Sequence, residues 1–141
     1  MNHDPVLVDS NVLLDIFTKD PQWSDWSASM LSQIADRSRI IINPIIYAEI
    51  SVGFSKIEDL ETALPKALIE REPLPYEASF LAGKVFLSYR RKGGNKTSPL
   101  PDFFIGAHAA VSGYRLLTRD TKRYRTYFPK VELISPDQIS G

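Results

Sequence analysis

PVLVDSNVLLDIF, residues 5–17, decides the reading of this chain. PVLV (5–8) is a short apolar, β-branched run, Ser10 stands where a helix N-cap is expected, and NVLLDIF continues with helical character. The stretch predicts strand, sharp turn, helix. The same order recurs at RIIIN (39–43), where Asn43-Pro44 leads into IIYAEISVGF (45–54) and proline suits a first helical position. It recurs again at YRLLT (114–118), followed by a short capped helix over DTKRYRTYF (120–128), with VELI (131–134) as a last strand.

The intervening segments fill in the pattern. Trp23, Trp26, Met30, Leu31 and Ile34 have helical spacing through to about Arg37. KIEDLETAL (56–64) predicts a helix that Pro65 ends, and ALIEREPLP (67–75) a short, polar, proline-limited strand at a sheet edge. YEASFLAGKVFLSYRRKGG (76–94) predicts a helix closing at Gly93, ahead of a GGNKTSPLP loop (93–101). DFFIGAHAAVSG (102–113) predicts a small-residue helix opened by Asp102 and ended by Gly113. Strands alternating with helices imply an α/β domain with a mostly parallel sheet, in which ligands gather beyond the carboxyl ends of the strands.

That rule places the acids. Asp9 follows strand VLV directly, and Asp120 follows YRLLT after only Arg119, so both belong to the same sheet edge. Asp102 starts a helix running back to the beginning of that strand, and Glu49 lies in the helix after RIIIN between apolar neighbours Ala48 and Ile50. Carboxylates crowded together repel unless a cation compensates. Oxygen donors without His or Cys favour Mg²⁺ or Mn²⁺ over zinc. Mg²⁺ keeps waters and leaves positions for phosphate oxygens, so the chemistry implied is phosphodiester hydrolysis by metal-bound water. Each acid alone has a plainer structural reading, as a helix cap or an exposed helix residue. Asp4, Asp15, Asp20 and Asp25 lack the placement and read as surface charge.

At 141 residues with no cysteine, one domain (1–141, core about 4–136) in a reducing, cytoplasmic setting is expected. The first residues show no basic region followed by a long apolar run, so neither export nor membrane insertion is expected. The net charge is zero, but its distribution is polar: residues 1–83 hold six Lys/Arg and thirteen Asp/Glu, residues 84–141 eleven and four. Basic residues cluster in KVFLSYRRKGGNK (84–96) and in RDTKRYRTYFPK (119–130), the second with Tyr124, Tyr127 and Phe128 interleaved; Arg90, Arg91, Lys92 and Lys96 of the first and Arg119 of the second are candidate contacts for a phosphate backbone.

VLVDSNVLLD (6–15), NPIIYAEI (43–50), LPDFFIGAHAAVSGYRLLTRDTKRYRTYFP (100–129) and VELISP (131–136) together resemble the PIN-domain family, specifically its VapC toxin ribonucleases. The ordered acids, with D-x-x-I-G-A-H-A followed by L-L-T-R-D, carry the resemblance. It implies a five-stranded parallel sheet, Mg²⁺- or Mn²⁺-dependent RNA cleavage, a cognate VapB-type antitoxin and a homodimer. Asp9 and Asp102 match the acids that most directly hold metal, Glu49 the acid of the second helix and Asp120 the fourth acid. Asn11 and Thr118 match polar residues that steady the acidic site. Arg123-Tyr124 departs from the pattern, because many family members carry Asp-Phe there.

Rival signals are weaker. GGNKTS (93–98) lacks the Gly before Lys that a Walker A loop needs, and Asn95-Lys96-Thr97 is a formal glycosylation sequon without meaning in the cytoplasm. His108 reads as a packed, hydrogen-bonded residue rather than a catalytic one. Trp23, Trp26 and Met30 read as core or partner anchors. A haloacid-dehalogenase-type phosphatase would need D-x-D where the chain has Asp9-Ser10-Asn11. A scaffold that binds RNA or protein without turnover would not need all four acids.

Overall fold

Short apolar strands form the centre of the structure, a computed structural model that describes residues 4–94 and 99–136. Five parallel strands stand in the order β3-β2-β1-β4-β5: β1 (Val6–Val8), β2 (Ile40–Ile42), β3 (Ile69–Arg71), β4 (Arg115–Leu117) and β5 (Leu133–Ile134). The sheet is the parallel five-stranded α/β arrangement anticipated above. Every residue of β1 and β2 is buried, and covering each such aliphatic side chain is worth about 1.5–3 kcal/mol. Edge strand β3 buries Ile69 and exposes Glu70 and Arg71, as its polar sequence demanded.

Among the described residues seven helices flank the sheet: α1 (Ser10–Phe17), α2 (Ser24–Ala35), α3 (Pro44–Ser51), α4 (Ile57–Ala63), α5 (Tyr76–Arg91), α6 (Leu100–Ser112) and α7 (Lys122–Tyr127). None is long and apolar enough to cross a membrane. Pro44 occupies the first turn of α3, and Asn43 caps it by accepting from the Ile46 amide at 2.9 Å. Gly113 ends α6 at φ 69°, a left-handed conformation that favours glycine.

Local chemistry moves several helix starts. Ser10 is not the cap of α1: Asp9 is, its Oδ1 accepting from the Ser10 amide at 2.8 Å, which leaves the Ser10 hydroxyl for another partner. Asp102 does not open α6, which begins at Leu100 because Pro101 fits a first turn. The α7 helix starts at Lys122 with Thr121 at the cap position, so Asp120 precedes it in the loop. Helix α3 stops at Ser51, short of the predicted end at Phe54.

Strand order fixes the position of the site. From β1 the chain steps outward through β2 and β3, then returns to the other side of β1 as β4 and continues to β5. The reversal lies between β1 and β4, and their carboxyl ends open the crevice where parallel sheets bind ligands. An aromatic cluster clamps α5, α6 and α7 beside it. Phe103 meets Tyr127 at 5.1 Å and Tyr89 at 5.7 Å between ring centroids, and Tyr89 meets Tyr127 at 6.3 Å.

Candidate active site

Asp9 sits at the carboxyl end of β1, 3% exposed, and both carboxylate oxygens are engaged. Oδ1 caps α1. Oδ2 accepts from the Thr118 hydroxyl at 2.8 Å and from the Tyr124 phenol at 2.9 Å, with the Asn11 amide at 3.4 Å. Burial pushes the Asp9 carboxyl up to about 7; the Thr118 and Tyr124 bonds oppose the shift, and the charges of Asp102 and Glu49 add to it. Tyr124 is itself held well above the usual phenol range, first by burial and then by Asp9 and Asp102, so it keeps its proton and donates.

Glu49 on α3 accepts from the Ser10 hydroxyl at 2.8 Å, so one serine ties two acids together, by its amide to Asp9 and its side chain to Glu49. Burial raises the Glu49 carboxyl, with a smaller contribution from Asp102. Asp102 is also raised by burial, against the pull of Arg123, whose guanidinium donates to Oδ2 at 2.6 Å. Asp120 is exposed; its backbone amide donates to Thr118 Oγ1 at 3.1 Å, and its charge acts on Asp102. The structure therefore brings Asp9, Glu49 and Asp102 into mutual electrostatic contact and sets Asp120 on the rim.

Asn11 and Thr118 both face Asp9, and the Asn11 amide also reaches Thr118 Oγ1 at 3.3 Å. Three participants escaped the sequence reading. The sequence reads Ser10 as a cap, and Arg123 and Tyr124 as part of a basic, aromatic stretch and a departure from a pattern, not as neighbours of the acids. The available signal was their position on a short helix just after Asp120.

Two further placements correct expectations. Asp15 is no surface charge: it is 3% exposed, takes both Nε (2.7 Å) and an NH2 (2.9 Å) of Arg119, and accepts from Ser27 at 2.9 Å. Arg119 is accordingly bound to Asp15 and stacked over Trp23 at 5.5 Å rather than held out as a free contact for phosphate. Arg90, Arg91 and Lys92 are exposed at the end of α5, with Lys92 over the Tyr127 ring at 6.0 Å. Lys96 lies outside the described residues.

His108 is fully buried, as a packed histidine should be. Asn43 uses its oxygen to cap α3, so its NH2 faces His108 Nδ1 at 3.0 Å, which makes that nitrogen the acceptor. The proton then resides on Nε2, directed at Glu72 at 3.2 Å. A groove of about 470 Å³ lies one strand over, between Tyr47 and Arg71, with none of the four acids in its walls.

Oxygen-only donors under mutual repulsion suit a hard divalent cation in their chemistry. In their arrangement one step is missing. Among the described residues no three acid or histidine side chains stand grouped to hold a metal ion together. Glu49 is turned to Ser10 and Asp102 to Arg123.

The sequence matches the family model described as PIN domain over residues 6–129. The chain belongs to the PIN-domain family. Solved structures similar to this PIN domain include VapBC2 from Rickettsia felis, bound to a DNA fragment from their promoter, at 21% identity and TM-score 0.72, covering 93% of this chain and 98% of that one. FitAcB from Neisseria gonorrhoeae aligns at 19% identity and TM-score 0.70, covering 95% and 99%. A toxin-antitoxin complex from Klebsiella pneumoniae aligns at 22% and 0.67, covering 93% and 97%. At these identities the likeness is one of fold. Comparison with curated protein sequences gives no match.

Proposed function

We propose that this PIN domain is a Mg²⁺- or Mn²⁺-dependent endoribonuclease, with Asp9, Glu49, Asp102 and Asp120 as its metal-holding acids. The observation that carries the reading is the state of Asp9: a nearly inaccessible carboxyl, raised to about 7 by burial and by two neighbouring acids, at the crevice between β1 and β4. Such a cluster is at its best with a cation among the oxygens. A cation held there would supply an activated water and offset charge on the phosphate. The protein's own residues do the positioning. Thr118, Tyr124 and Asn11 orient Asp9, Ser10 aims Glu49, and the exposed Arg90, Arg91 and Lys92 attract the RNA strand.

The solved neighbours include a toxin-antitoxin complex, and on that likeness we read the protein as the toxin of a VapBC-like pair, inhibited by a VapB-like antitoxin and acting as a homodimer in the cytoplasm. A binding scaffold without turnover is the second reading. The hold of Arg123 on Asp102 is what favours it.

Purified protein, stripped of any bound partner, incubated with structured RNA and Mg²⁺ or Mn²⁺ decides between them. Wild type is expected to cut, EDTA to stop it, and Asp9→Asn and Asp102→Asn to lose activity while remaining folded. Undiminished cutting by both variants would remove the metal assignment. Absence of cutting by wild type under both ions would leave the scaffold. Growth arrest on expression, relieved by the product of the adjacent reading frame, tests the toxin role.

A further inference from the structure

The acid cluster contains its own cation. The Arg123 guanidinium donates to Asp102 Oδ2 at 2.6 Å, with the two side chains 36% and 24% exposed. Its neighbour Tyr124 enters the same cluster, 1% exposed, donating a hydrogen bond to Asp9. Successive helical residues project about 100° apart, so α7 sends one side chain into the core and lays the other along the rim. The clasp of Phe103 and Tyr89 on Tyr127 keeps the helix in that orientation. Arg119, the nearby arginine at the end of β4, is already held by Asp15.

A divalent ion on Asp102 and the guanidinium on its Oδ2 would stand within a few ångströms of each other, two positive charges competing for one carboxylate. Among the described residues no three acids are grouped as a ready cation site. Resting on the metal-site reading above, we propose that Arg123 is a displaceable counter-ion of the acid cluster: a divalent cation must take Asp102 from it, and the released guanidinium then pairs with a phosphodiester of the bound strand. Cation affinity is lowered by the fraction of molecules in which Asp102 is engaged. A phosphodiester that occupies Arg123 removes that competition, and by linkage the cation and the strand strengthen one another's binding.

The test is direct Mn²⁺ binding to the full chain, read from the electron-paramagnetic resonance of free Mn²⁺ without RNA. Arg123→Met is expected to bind Mn²⁺ about tenfold more tightly than wild type, the scale of a partly buried charged hydrogen bond. Arg123→Lys should keep most of the competition, and Lys122→Met, which removes a neighbouring charge that faces solvent, should stay within about twofold of wild type. Adding a cleavage-resistant 2′-O-methyl oligonucleotide should tighten Mn²⁺ binding more in wild type than in Arg123→Met.

Equal or weaker binding by Arg123→Met overturns the proposal. Equal tightening by Lys122→Met overturns it too, because general charge would then set the affinity. Wild-type protein gives a check free of variants: Mg²⁺ should release the Arg123 side-chain nitrogen resonances from restricted to fast rotation, and their constancy at saturating Mg²⁺ is incompatible with displacement. Asp9→Asn separates this proposal from the reading beneath it. If that variant binds Mn²⁺ as wild type does, the acid cluster is not the metal site, whatever Arg123 does.

Discussion

At the scale of single residues, Asp9 behaves unlike an ordinary surface carboxylate. Its raised pKa, about 7, means that the folded protein holds a proton there at pH values where the unfolded chain has released it. Its contribution to stability therefore falls as pH rises from about 4 towards about 7. In EDTA, Asp9→Asn is expected to gain in thermal midpoint over wild type between about pH 5 and about pH 8, and Mg²⁺ to restore wild type at the upper end. A constant difference across that range would refute the buried, strained carboxyl. Tyr124→Phe removes one of the donors on Oδ2 and is expected to cost about 1–2 kcal/mol by denaturant unfolding, with most of that cost absent in an Asp9→Asn background. Asp15→Asn should cost about 2 kcal/mol by denaturant unfolding, through its partly exposed partner Arg119.

At the scale of elements, α6 approaches α7 where Gly106 faces the Phe128 ring, and a Cβ built on Gly106 would run into it. Phe128 is 5% exposed and has little room to give. Gly106→Ala is expected to destabilise the protein by about 1–3 kcal/mol, and to weaken Mn²⁺ binding only as far as it disturbs α7. Strands and helices of this kind were legible because their composition is extreme: III in β2, VLV in β1 and the Gly113 stop of α6 leave few alternatives. Asp9 and Asp120 followed from strand ends alone. Side-chain pairing was not legible. Nothing in spacing tells whether the Ser10 hydroxyl caps its own helix or crosses to Glu49, because both are one short bond away. Asp15 lay at apolar spacing within NVLLDIF, but its burial needs Arg119, more than a hundred positions downstream. Arg123 and Tyr124 sit on a helix of six residues, too short for periodicity to orient.

At the scale of the whole molecule, zero net charge conceals opposed halves, and the exposed basic end of α5 abuts the helix that delivers Arg123. Replacing Arg90, Arg91 and Lys92 together by alanine is expected to weaken RNA binding and to flatten its dependence on salt by up to about two units of log–log slope, with Mn²⁺ affinity unchanged. An unaltered slope would take the α5 terminus out of the strand's path. The order of the strands has a temporal consequence as well. Thr118 reaches Asp9 across 109 positions, and β1 gains its β4 neighbour only after Arg115–Leu117 have been made. A nascent chain on the ribosome thus carries Asp9 long before it carries Thr118, Arg123 or Tyr124. Half-made copies hold no assembled centre, and contacts this remote in sequence make folding slow. Whatever chemistry the crevice performs begins only after α7 has been made.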